Sequence, residues 1–572
     1  MKLFEQRNVL VSTALISAIS PLAGVAADKS SAASELPQHP NILWISTEDC
    51  SQRWGCYGDD VAQTPTIDRL AAQGIRYDNA FTTAAISSPV RAGIITGMYQ
   101  TSIGCHNMRT ITYMRGEQIT PYNGVPPHYV KAFTEYLRNG GYYCTNRVKT
   151  DYQFAAATTV PESIWDETSA EAHFKNRSDK SQPFFAVFNF EGTHEGRSFR
   201  NIPVETDINS VEVPPYYMDE PTTRTVIARH YDNIAAYDEY VANLLEELEA
   251  DGELDNTIIF LWGDHGDGFA RGKRWLYDSG THIPLVVYIP GREGGEVSDR
   301  LISSIDFGPT VLSLAGVDVP THMQGQPFLG SQDRGEREYI YAARDREDES
   351  YDMVRAVRDK RYLYIRNFYP NQPYVGYVPY RNGSPIIQDL YRAYAEDRLN
   401  EVQSLWFAKT RPAEELYDVE SDPHNINNLA REAEYAPILK KMRELQSEWS
   451  AQTNDMGLRN EEDLYRQFFP NGEQCKTNRP YFVVNCEEEP VRRHKADENY
   501  TITSPALVDF YCSTQGASMV YKITAKGAEP NKHWSLYNGA VRVAKGSYDI
   551  EVKAQRYGYI ESETLIFHLR VK

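Results

Sequence analysis

The stretch Asn41-Ile42-Leu43-Trp44-Ile45 is a compact, mainly apolar run, and the polar residues Ser46-Thr47-Glu48-Asp49 follow it directly. A short run of this kind predicts a β-strand that is buried on both faces. Comparable runs at 184–190, 257–261 and 284–289, and a shorter one at 141–144, predict four more strands. Helical periodicity at 66–74 and 227–248 separates them, so the chain is expected to form an α/β sheet with helices on both faces.

Four of these predicted strands end in chemically active residues: Glu48 with Asp49, Lys149 with Asp151, His194, and Asp264 with His265. In open α/β sheets ligands bind at the carboxyl ends of the strands, so these side chains are expected to converge. Carboxylates suit a hard divalent cation, and Ca²⁺ tolerates a loose cage better than Mg²⁺. A single strand-end carboxylate more often caps a loop or pairs with lysine. Two acidic positions on separate buried strands favour a metal site made of Glu48, Asp49, Asp264 and His265.

A second informative stretch runs from Ile86 to Gly97 and contains Ser87, Pro89 and Arg91. Ser88 is a favourable N-cap residue and Pro89 a favourable first helical residue, so a helix is expected to begin just after Ser87. The Ser87 hydroxyl would then lie beside free backbone N–H groups that attract an anion. Taken alone, these residues also fit an ordinary capped helix with a solvated arginine. That simpler interpretation is favoured unless other residues support an anion site.

Basic residues elsewhere supply that support. Lys149, Lys273 and Arg91 could surround an anion, and His194 could give a proton to a leaving oxygen. A lone lysine is usually a solvated charge and a lone histidine is more often structural. The roles suggested for these residues therefore depend on their lying at one edge of the sheet.

Length, charge and the N-terminus limit the class of protein. A chain of 572 residues should hold more than one domain, and a net charge of −20 argues against nucleic-acid binding. Lys2 and Arg7 precede an interrupted apolar run at 9–19, and small residues lead to Ala27. This pattern predicts a cleaved signal peptide at 1–27, a leader at 28–39, a periplasmic or secreted location and no stable membrane insertion afterwards.

The residue pattern changes in the C-terminal part of the chain. Residues 338–470 contain strand patterns at 339–341 and 361–365 and a helical region at 427–451, which predicts a smaller antiparallel-sheet subdomain. Residues 478–572 consist of short strand patterns and turns, such as 501–505, 540–543 and 548–552, and predict a small β-sandwich.

Together these motifs resemble those of the formylglycine-dependent, type I sulfatases of the alkaline phosphatase superfamily, in particular exported bacterial polysaccharide sulfatases of the Ser type. The resemblance covers about 40–430, and the last hundred residues are similar to the C-terminal sandwich of chitobiases and hexosaminidases. The motifs are Pro40-Asn41-Ile42-Leu43, Glu48-Asp49, Ser87-x-Pro89-x-Arg91 with Thr96-Gly97, Gly141-Tyr142-Tyr143 leading to Lys149, Gly263-Asp264-His265-Gly266, Lys273-Arg274-Trp275, and Glu415 to Pro423.

The resemblance implies an alkaline-phosphatase-like α/β fold with a large central mixed sheet, a catalytic domain at 40–337 and the two smaller units described above. It implies that a sulfatase-maturating enzyme oxidises Ser87 to formylglycine (3-oxoalanine), whose hydrate attacks sulfur. Carried over by motif, Ca²⁺, or less favourably Mg²⁺, is held by Glu48, Asp49, Asp264 and His265. Further implied roles are support of the modified residue by Arg91, sulfate binding by Lys149 and Lys273, and protonation of the leaving oxygen by His194.

The chain departs from the family pattern at three places. The modified position is Ser87, where Cys is commoner, which indicates a Ser-type enzyme or an inactivated Cys→Ser variant; the intact signal sequence favours the former. The first acidic pair is Glu-Asp where Asp-Asp is usual. Asp151 stands where a histidine is frequent in the family. His106 is therefore a candidate substitute for that histidine or a candidate substrate contact, and Asp151 is a second candidate substrate contact.

The sequence therefore predicts hydrolysis of sulfate esters on a sulfated polysaccharide or oligosaccharide. Arg344, Arg346 and Asp348 are candidate contacts to sugar hydroxyls, a uronate or a second sulfate, with a solvated surface run as an equal alternative. Two other functions stay open: a phosphomonoesterase or phosphodiesterase of the same superfamily, and a non-catalytic sulfoglycan-binding protein if Ser87 is unmodified.

Overall fold

The computed structural model describes residues 39–108, 110, 121–155, 160–485, 499–503 and 506–572. The predicted signal peptide at 1–27 and the leader up to 38 lie outside these residues. Among the helices within them, none combines the length and the apolar character that crossing a bilayer requires.

A large mixed sheet forms the centre of the molecule. Its strands are β1 (Asn41–Thr47), β2 (Ile75–Phe81), β3 (Tyr143–Arg147), β4 (Glu167–Thr168), β5 (Phe184–Phe190), β6 (Thr257–Gly263), β7 (His282–Tyr288) and β8 (Glu296–Ser303). They lie in the order β4-β3-β5-β1-β6-β7-β2-β8. Strand β1 pairs parallel to β5 and β6, whereas β7 runs antiparallel to both β6 and β2. The predicted α/β fold with a central mixed sheet is confirmed.

Helices cover both faces of this sheet, because the central strands carry apolar side chains on both faces. Leu43 and Ile45 belong to the core on one face, and Ile42 and Trp44 to the core on the other. The α-helices of the whole chain are α1 (Pro65–Ala72), α2 (Ser87–Thr96), α3 (Phe133–Asn139), α4 (Glu195–Ser198), α5 (Pro221–Ala250), α6 (Asp278–Thr281), α7 (Phe307–Leu314), α8 (Pro379–Asn382), α9 (Pro385–Ala395), α10 (Glu401–Ser404), α11 (Ala436–Gln452) and α12 (Glu461–Phe468). Helices α1 and α5 pack on the first face, and α2, α3 and α7 on the second.

Besides the two-residue strand β4, two strands of the large sheet, β2 and β8, were not predicted from apolar runs. The sequence of β2 interleaves Arg76, Asp78 and Asn79 with its apolar residues, and the first half of β8 is mostly exposed at the edge of the sheet. Neither strand is buried on both faces, so neither presents a continuous apolar run.

The smaller subdomain is a four-stranded antiparallel sheet. Its strands β9 (Ile340–Arg344), β10 (Val354–Arg358), β11 (Tyr362–Asn367) and β12 (Glu414–Asp418) lie in the order β12-β11-β10-β9. One face adds Ala356 and Leu363 to the core beneath α5, and the other packs Val357 and Tyr364 against α11. The subdomain is therefore joined to the large sheet through a shared core.

The C-terminal region is a sandwich of two small sheets. Strands β13 (Tyr481–Val484), β15 (Ala506–Tyr511) and β18 (Val541–Val543) form one sheet. The other contains β14 (Asn499–Ile502), β16 (Ser518–Ala525), β17 (Ser535–Leu536), β19 (Gly546–Gln555) and β20 (Leu565–Val571). Phe482 of the first stacks on Phe567 of the second at 3.6 Å, so the two sheets share one apolar core.

A buried tyrosine fixes the sandwich to the large central sheet. The Tyr557 ring stacks on Phe154 at 4.7 Å and lies in the core of the large sheet. Its hydroxyl donates to Glu135 and accepts from the backbone N–H of Ala132 at 3.1 Å. The second oxygen of Glu135 accepts a hydrogen bond from Ser518 of the sandwich at 2.6 Å. Both carboxylate oxygens of Glu135 are therefore hydrogen-bonded to the sandwich.

We expect Tyr557→Ala to lower the free energy of unfolding by about 3–5 kcal/mol, because it removes a buried aromatic ring and one of the hydrogen-bond donors to Glu135. Urea denaturation of the purified protein measures this change. The matched control is Tyr511→Ala, whose side chain is 62% exposed in the same module and should change stability by less than about 0.5 kcal/mol. Equal effects of the two variants would contradict the anchoring role of Tyr557.

Candidate active site

The register of the central strands brings the predicted metal ligands together. Thr47 at the end of β1 pairs with Gly263 at the end of β6, so the residues that follow these strands lie side by side. The backbone N–H of Asp49 donates to Asp264 Oδ1 at 3.0 Å, and His265 Nε2 lies 3.1 Å from Asp49 Oδ1. All of these side chains, with Glu48, are fully buried.

Ser87 lies against this cluster at the start of α2. Its Oγ is 3.1 Å from His265 Nε2 and 3.3 Å from Glu48 Oε2. The predicted cap is wrong by two residues, since the N-cap is the extended Ile86 and not Ser88, and Ser87 itself is the first helical residue. The Ser88 hydroxyl is used elsewhere, because it donates to the Asp151 carbonyl at 2.8 Å. Ser87 therefore still lies in the first turn, where backbone N–H groups have no helical partner.

Glu48 is held by two cations. Arg91 and Lys149 both donate to its carboxylate, one to each oxygen. Burial raises the pKa of Glu48, but the charges of Lys149 and Arg91 outweigh it and hold that pKa well below the ordinary value. Despite the longer side chain of Glu compared with Asp, Glu48 is thus ionised and directed at Ser87.

Asp49 is held in the same way by Lys273. The Lys273 Nζ donates to both Asp49 oxygens, at 3.0 and 2.9 Å, and the backbone N–H of Glu195 donates to Oδ2 at 2.7 Å. Burial raises the pKa of Asp49, and Lys273 with the two histidines His194 and His265 lowers it to a net value well below the usual range. Asp49 adopts a positive φ of 45°, which turns its side chain out of the strand direction.

His194 lies on the far side of Lys273. Its Nε2 is 3.2 Å from Lys273 Nζ, and its Nδ1 is 3.4 Å from the backbone N of Gly196. A neutral imidazole has one acceptor nitrogen, so only one of these contacts is a hydrogen bond at a time. The Lys273 charge, with burial, lowers the pKa of His194 below its ordinary value.

The donor set fits a hard divalent cation. Ligand atoms of Glu48, Asp49 and His194 lie within 4.8 Å of one another, as do those of Asp49, Asp264 and His265. Asp264 Oδ2 is buried without a hydrogen-bond partner, and Arg91 Nε lies 3.6 Å from it, too far for a hydrogen bond; this state is costly for a carboxylate oxygen unless a cation binds it directly. Carboxylate-rich sites of this kind favour Ca²⁺ or Mg²⁺ over softer metals.

Three residues of the site were not predicted from the sequence. Asn189, near the end of β5, accepts from Ser46 and Arg91 at 2.8 and 2.9 Å and donates to Asn146. Arg274 forms a bidentate pair with Glu195 at 2.9 and 2.8 Å. The signal for Asn189 was a polar residue inside the apolar run 184–190. In the sequence, the only signal for Glu195 and Arg274 is that they directly follow His194 and Lys273.

The predicted substrate contacts occupy different surroundings. Asp151 lies beside α2 through its carbonyl bond to Ser88. His106 is buried with an unpaired Nδ1, and burial lowers its pKa despite the opposing charges of Asp345 and Asp455.

The charged stretch of the subdomain is not a solvated surface run. Arg346 donates to both oxygens of Glu461 at 2.7 Å, and Arg344 lies 3.2 Å from Glu347 and from Asp352. Both arginines are buried, whereas Asp348 is half-buried. A contact with substrate stays a prediction for all three predicted positions in this stretch.

The chain matches two family models, "Sulfatase" over residues 40–317 and "N-sulphoglucosamine sulphohydrolase, C-terminal" over residues 263–404. It is 38% identical over 570 aligned residues to an ulvan-active sulfatase of Formosa agariphila, covering 93% of this chain and 91% of that protein. Because this likeness covers 93% of the chain, it extends into the C-terminal sandwich, beyond both family models.

Solved structures share the fold at lower identity. A protein in complex with its substrate D-glucosamine-2-N,6-O-disulfate aligns with a TM-score of 0.51 and 20% identity, over 73% of this chain and 98% of that one. The phosphonate monoester hydrolase of Agrobacterium radiobacter aligns with a TM-score of 0.53 and 18% identity, over 72% and 96%. On the strength of the close relative and the matched family models, this chain belongs to the sulfatases, a family of sulfuric ester hydrolases.

Proposed function

We propose that this protein hydrolyses sulfate esters on a sulfated polysaccharide or its oligosaccharides and releases inorganic sulfate. In this proposal a maturating enzyme converts Ser87 to formylglycine, and Ca²⁺ is held by Glu48, Asp49, Asp264 and His265. The observation that carries it is the position of the Ser87 Oγ, 3.1 Å from His265 and 3.3 Å from Glu48, at the first turn of a helix.

Bound Ca²⁺ would supply positive charge for the sulfate oxygens. Oxidised Ser87, as its hydrate, would supply the oxygen nucleophile. The chain's own residues orient both. Arg91 fixes Glu48, and Asn189 fixes Arg91 through a 2.9 Å bond, so the side chains around Ser87 are held before substrate arrives.

Charge balance explains why the site would accept a sulfate ester. The cluster holds equal numbers of acidic and basic side chains: Glu48, Asp49, Glu195 and Asp264, with Arg91, Lys149, Lys273 and Arg274. A divalent cation therefore adds two uncompensated positive charges inside a buried, low-dielectric site. An anionic ester offsets them, and Lys149 and Lys273 are the mobile donors that can turn from a carboxylate to a sulfate oxygen.

His194 is the proposed acid for the leaving oxygen. It lies at the N-cap of α4, after β5, whereas Ser87 lies in α2, so the two residues would face a bound ester from different elements. Its contact with Lys273 links it to the proposed sulfate-binding lysine at 3.2 Å. Proton donation at this position lets the alcohol leave as a neutral molecule.

Sulfated polysaccharide is the proposed substrate class. The Formosa agariphila relative is named for activity on ulvan, and a structural neighbour was solved with a sulfated glucosamine. The predicted export signal agrees with a substrate found outside the cell. Ulvan oligosaccharides are therefore the first substrates to test.

The phosphoesterase alternative has less support. Enzymes of that kind commonly use two metals, and in the described part of the chain the two candidate ligand groups share Asp49 and form one cluster. The non-catalytic alternative depends on whether Ser87 is oxidised.

Oxidation of Ser87 is expected in protein made with a Ser-competent maturating enzyme. The tryptic peptide from Tyr77 to Arg91 should lose two hydrogen atoms and react with an aldehyde-specific hydrazide, which mass spectrometry detects. Ser88→Ala is the matched control, because its neighbouring hydroxyl bonds Asp151 and should not be needed for oxidation at Ser87. Fully active protein with an unmodified Ser87 would refute the proposed chemistry.

Metal removal is expected to abolish turnover. Chelation with EGTA should release a single Ca²⁺ per chain, seen by elemental analysis, and Ca²⁺ should restore activity better than Mg²⁺. Asp264→Asn should weaken Ca²⁺ binding by at least about tenfold in calorimetry, whereas the surface change Asp251→Asn should not. Active protein that contains no divalent metal would contradict this site.

A further inference from the structure

The short helix α8 places an exposed aromatic ring beside the proposed catalytic acid. The Tyr380 ring is centred 6.2 Å from the His194 ring and 6.3 Å from Phe199, which follows α4. Half of its side chain, 51%, is open to solvent. Tyr380 belongs to the smaller subdomain, so this subdomain reaches over the edge of the site built by the large sheet.

The position of Tyr380 is built into the fold. Val378 and Arg381 on either side of it are buried, and Arg381 donates to the Gly376 carbonyl and to the Asn382 side chain. A Cβ at residue 196 would lie 2.5 Å from the Tyr380 hydroxyl oxygen, so the glycine there leaves the room that the ring occupies. An exposed aromatic side chain between two buried anchors is held in place without being part of a core.

We propose that Tyr380 is a specificity-determining residue on which the sugar ring that carries the sulfate packs its C–H face. This inference rests on the proposed function, in which His194 protonates the leaving oxygen. The carbon that bears this oxygen must then lie directly beyond His194, and its pyranose ring must lie within reach of the neighbouring aromatic face. Aromatic residues with a few placed polar groups are the usual lining of sites that orient organic ligands.

A pyranose fits this position better than a second anion. The hydroxyl end of Tyr380 faces the Gly196 backbone, while the exposed part of the ring is apolar and can cover C–H groups. Lys273 and Arg274, whose charges act on Tyr380, form ion pairs with Asp49 and Glu195. Tyr380 therefore contributes contact area and orientation, and the charged cluster below it binds the sulfate.

Binding can be measured separately from turnover in a Ser87→Ala background, which cannot form the nucleophile. In calorimetry with sulfated ulvan oligosaccharides and with D-glucosamine-N,6-disulfate, adding Tyr380→Ala should weaken affinity about tenfold for the better ligand, equivalent to ~1.4 kcal/mol. Tyr380→Phe keeps the ring and should stay within about threefold of the parent. Tyr377→Ala, 68% exposed on the same segment, is the matched control and should change affinity less than twofold.

In the oxidised enzyme the same Tyr380→Ala change should raise KM about tenfold and lower kcat less than about threefold. An unchanged affinity and KM in Tyr380→Ala, an equal loss in Tyr377→Ala, or no binding of either probe to the Ser87→Ala parent would overturn the inference. Failure of the proposed function looks different: oxidised wild-type protein would release no sulfate, while Tyr380→Ala would still weaken binding in the Ser87→Ala background.

Discussion

The central constraint on this structure is the burial of three carboxylates, Glu48, Asp49 and Asp264, where two parallel strands end. Carboxylates taken out of water are strongly destabilising unless cations and hydrogen-bond donors compensate them. Arg91, Lys149 and Lys273 provide this compensation from three separate parts of the chain, which fixes the positions of α2, the segment after β3 and the segment after β6 around one point. The geometry around Ser87 is a consequence of that compensation.

The same compensation extends into the smaller subdomain. Glu195 pairs with Lys273 and Arg274, and Arg344 of β9 pairs with Glu347 and Asp352 while its guanidinium lies 4.2 Å from the Trp275 ring. Burial raises the pKa of Glu347 to about 7, although Arg344 and Arg274 oppose that shift. A chain of buried charges therefore connects the carboxylate cluster around Asp49 to the unit that carries Tyr380, and the subdomain forms part of the edge of the candidate site.

The sequence was sufficient for features that depend on local pattern. Apolar runs located β1, β5 and β6, and the residues after them proved to converge, because parallel strands place their carboxyl ends at one edge. It was insufficient where a feature depends on tertiary pairing. β2 interleaves polar residues with apolar ones and β8 is partly exposed, so both lack the apolar run. The N-cap of α2 is Ile86, and the Ser88 hydroxyl bonds Asp151 instead of capping the helix. The roles of Asn189 and Glu195 follow from partners distant in sequence.

In the proposed chemistry, Ser87 acts only after oxidation. The most direct measurement compares preparations made with increasing amounts of a maturating enzyme, scoring the oxidised fraction of Ser87 by mass spectrometry and sulfate release from ulvan oligosaccharides in each. Specific activity should rise in proportion to the oxidised fraction of Ser87 and extrapolate to zero when Ser87 is unmodified. Substantial sulfate release at zero oxidation, or none at high oxidation, would contradict it.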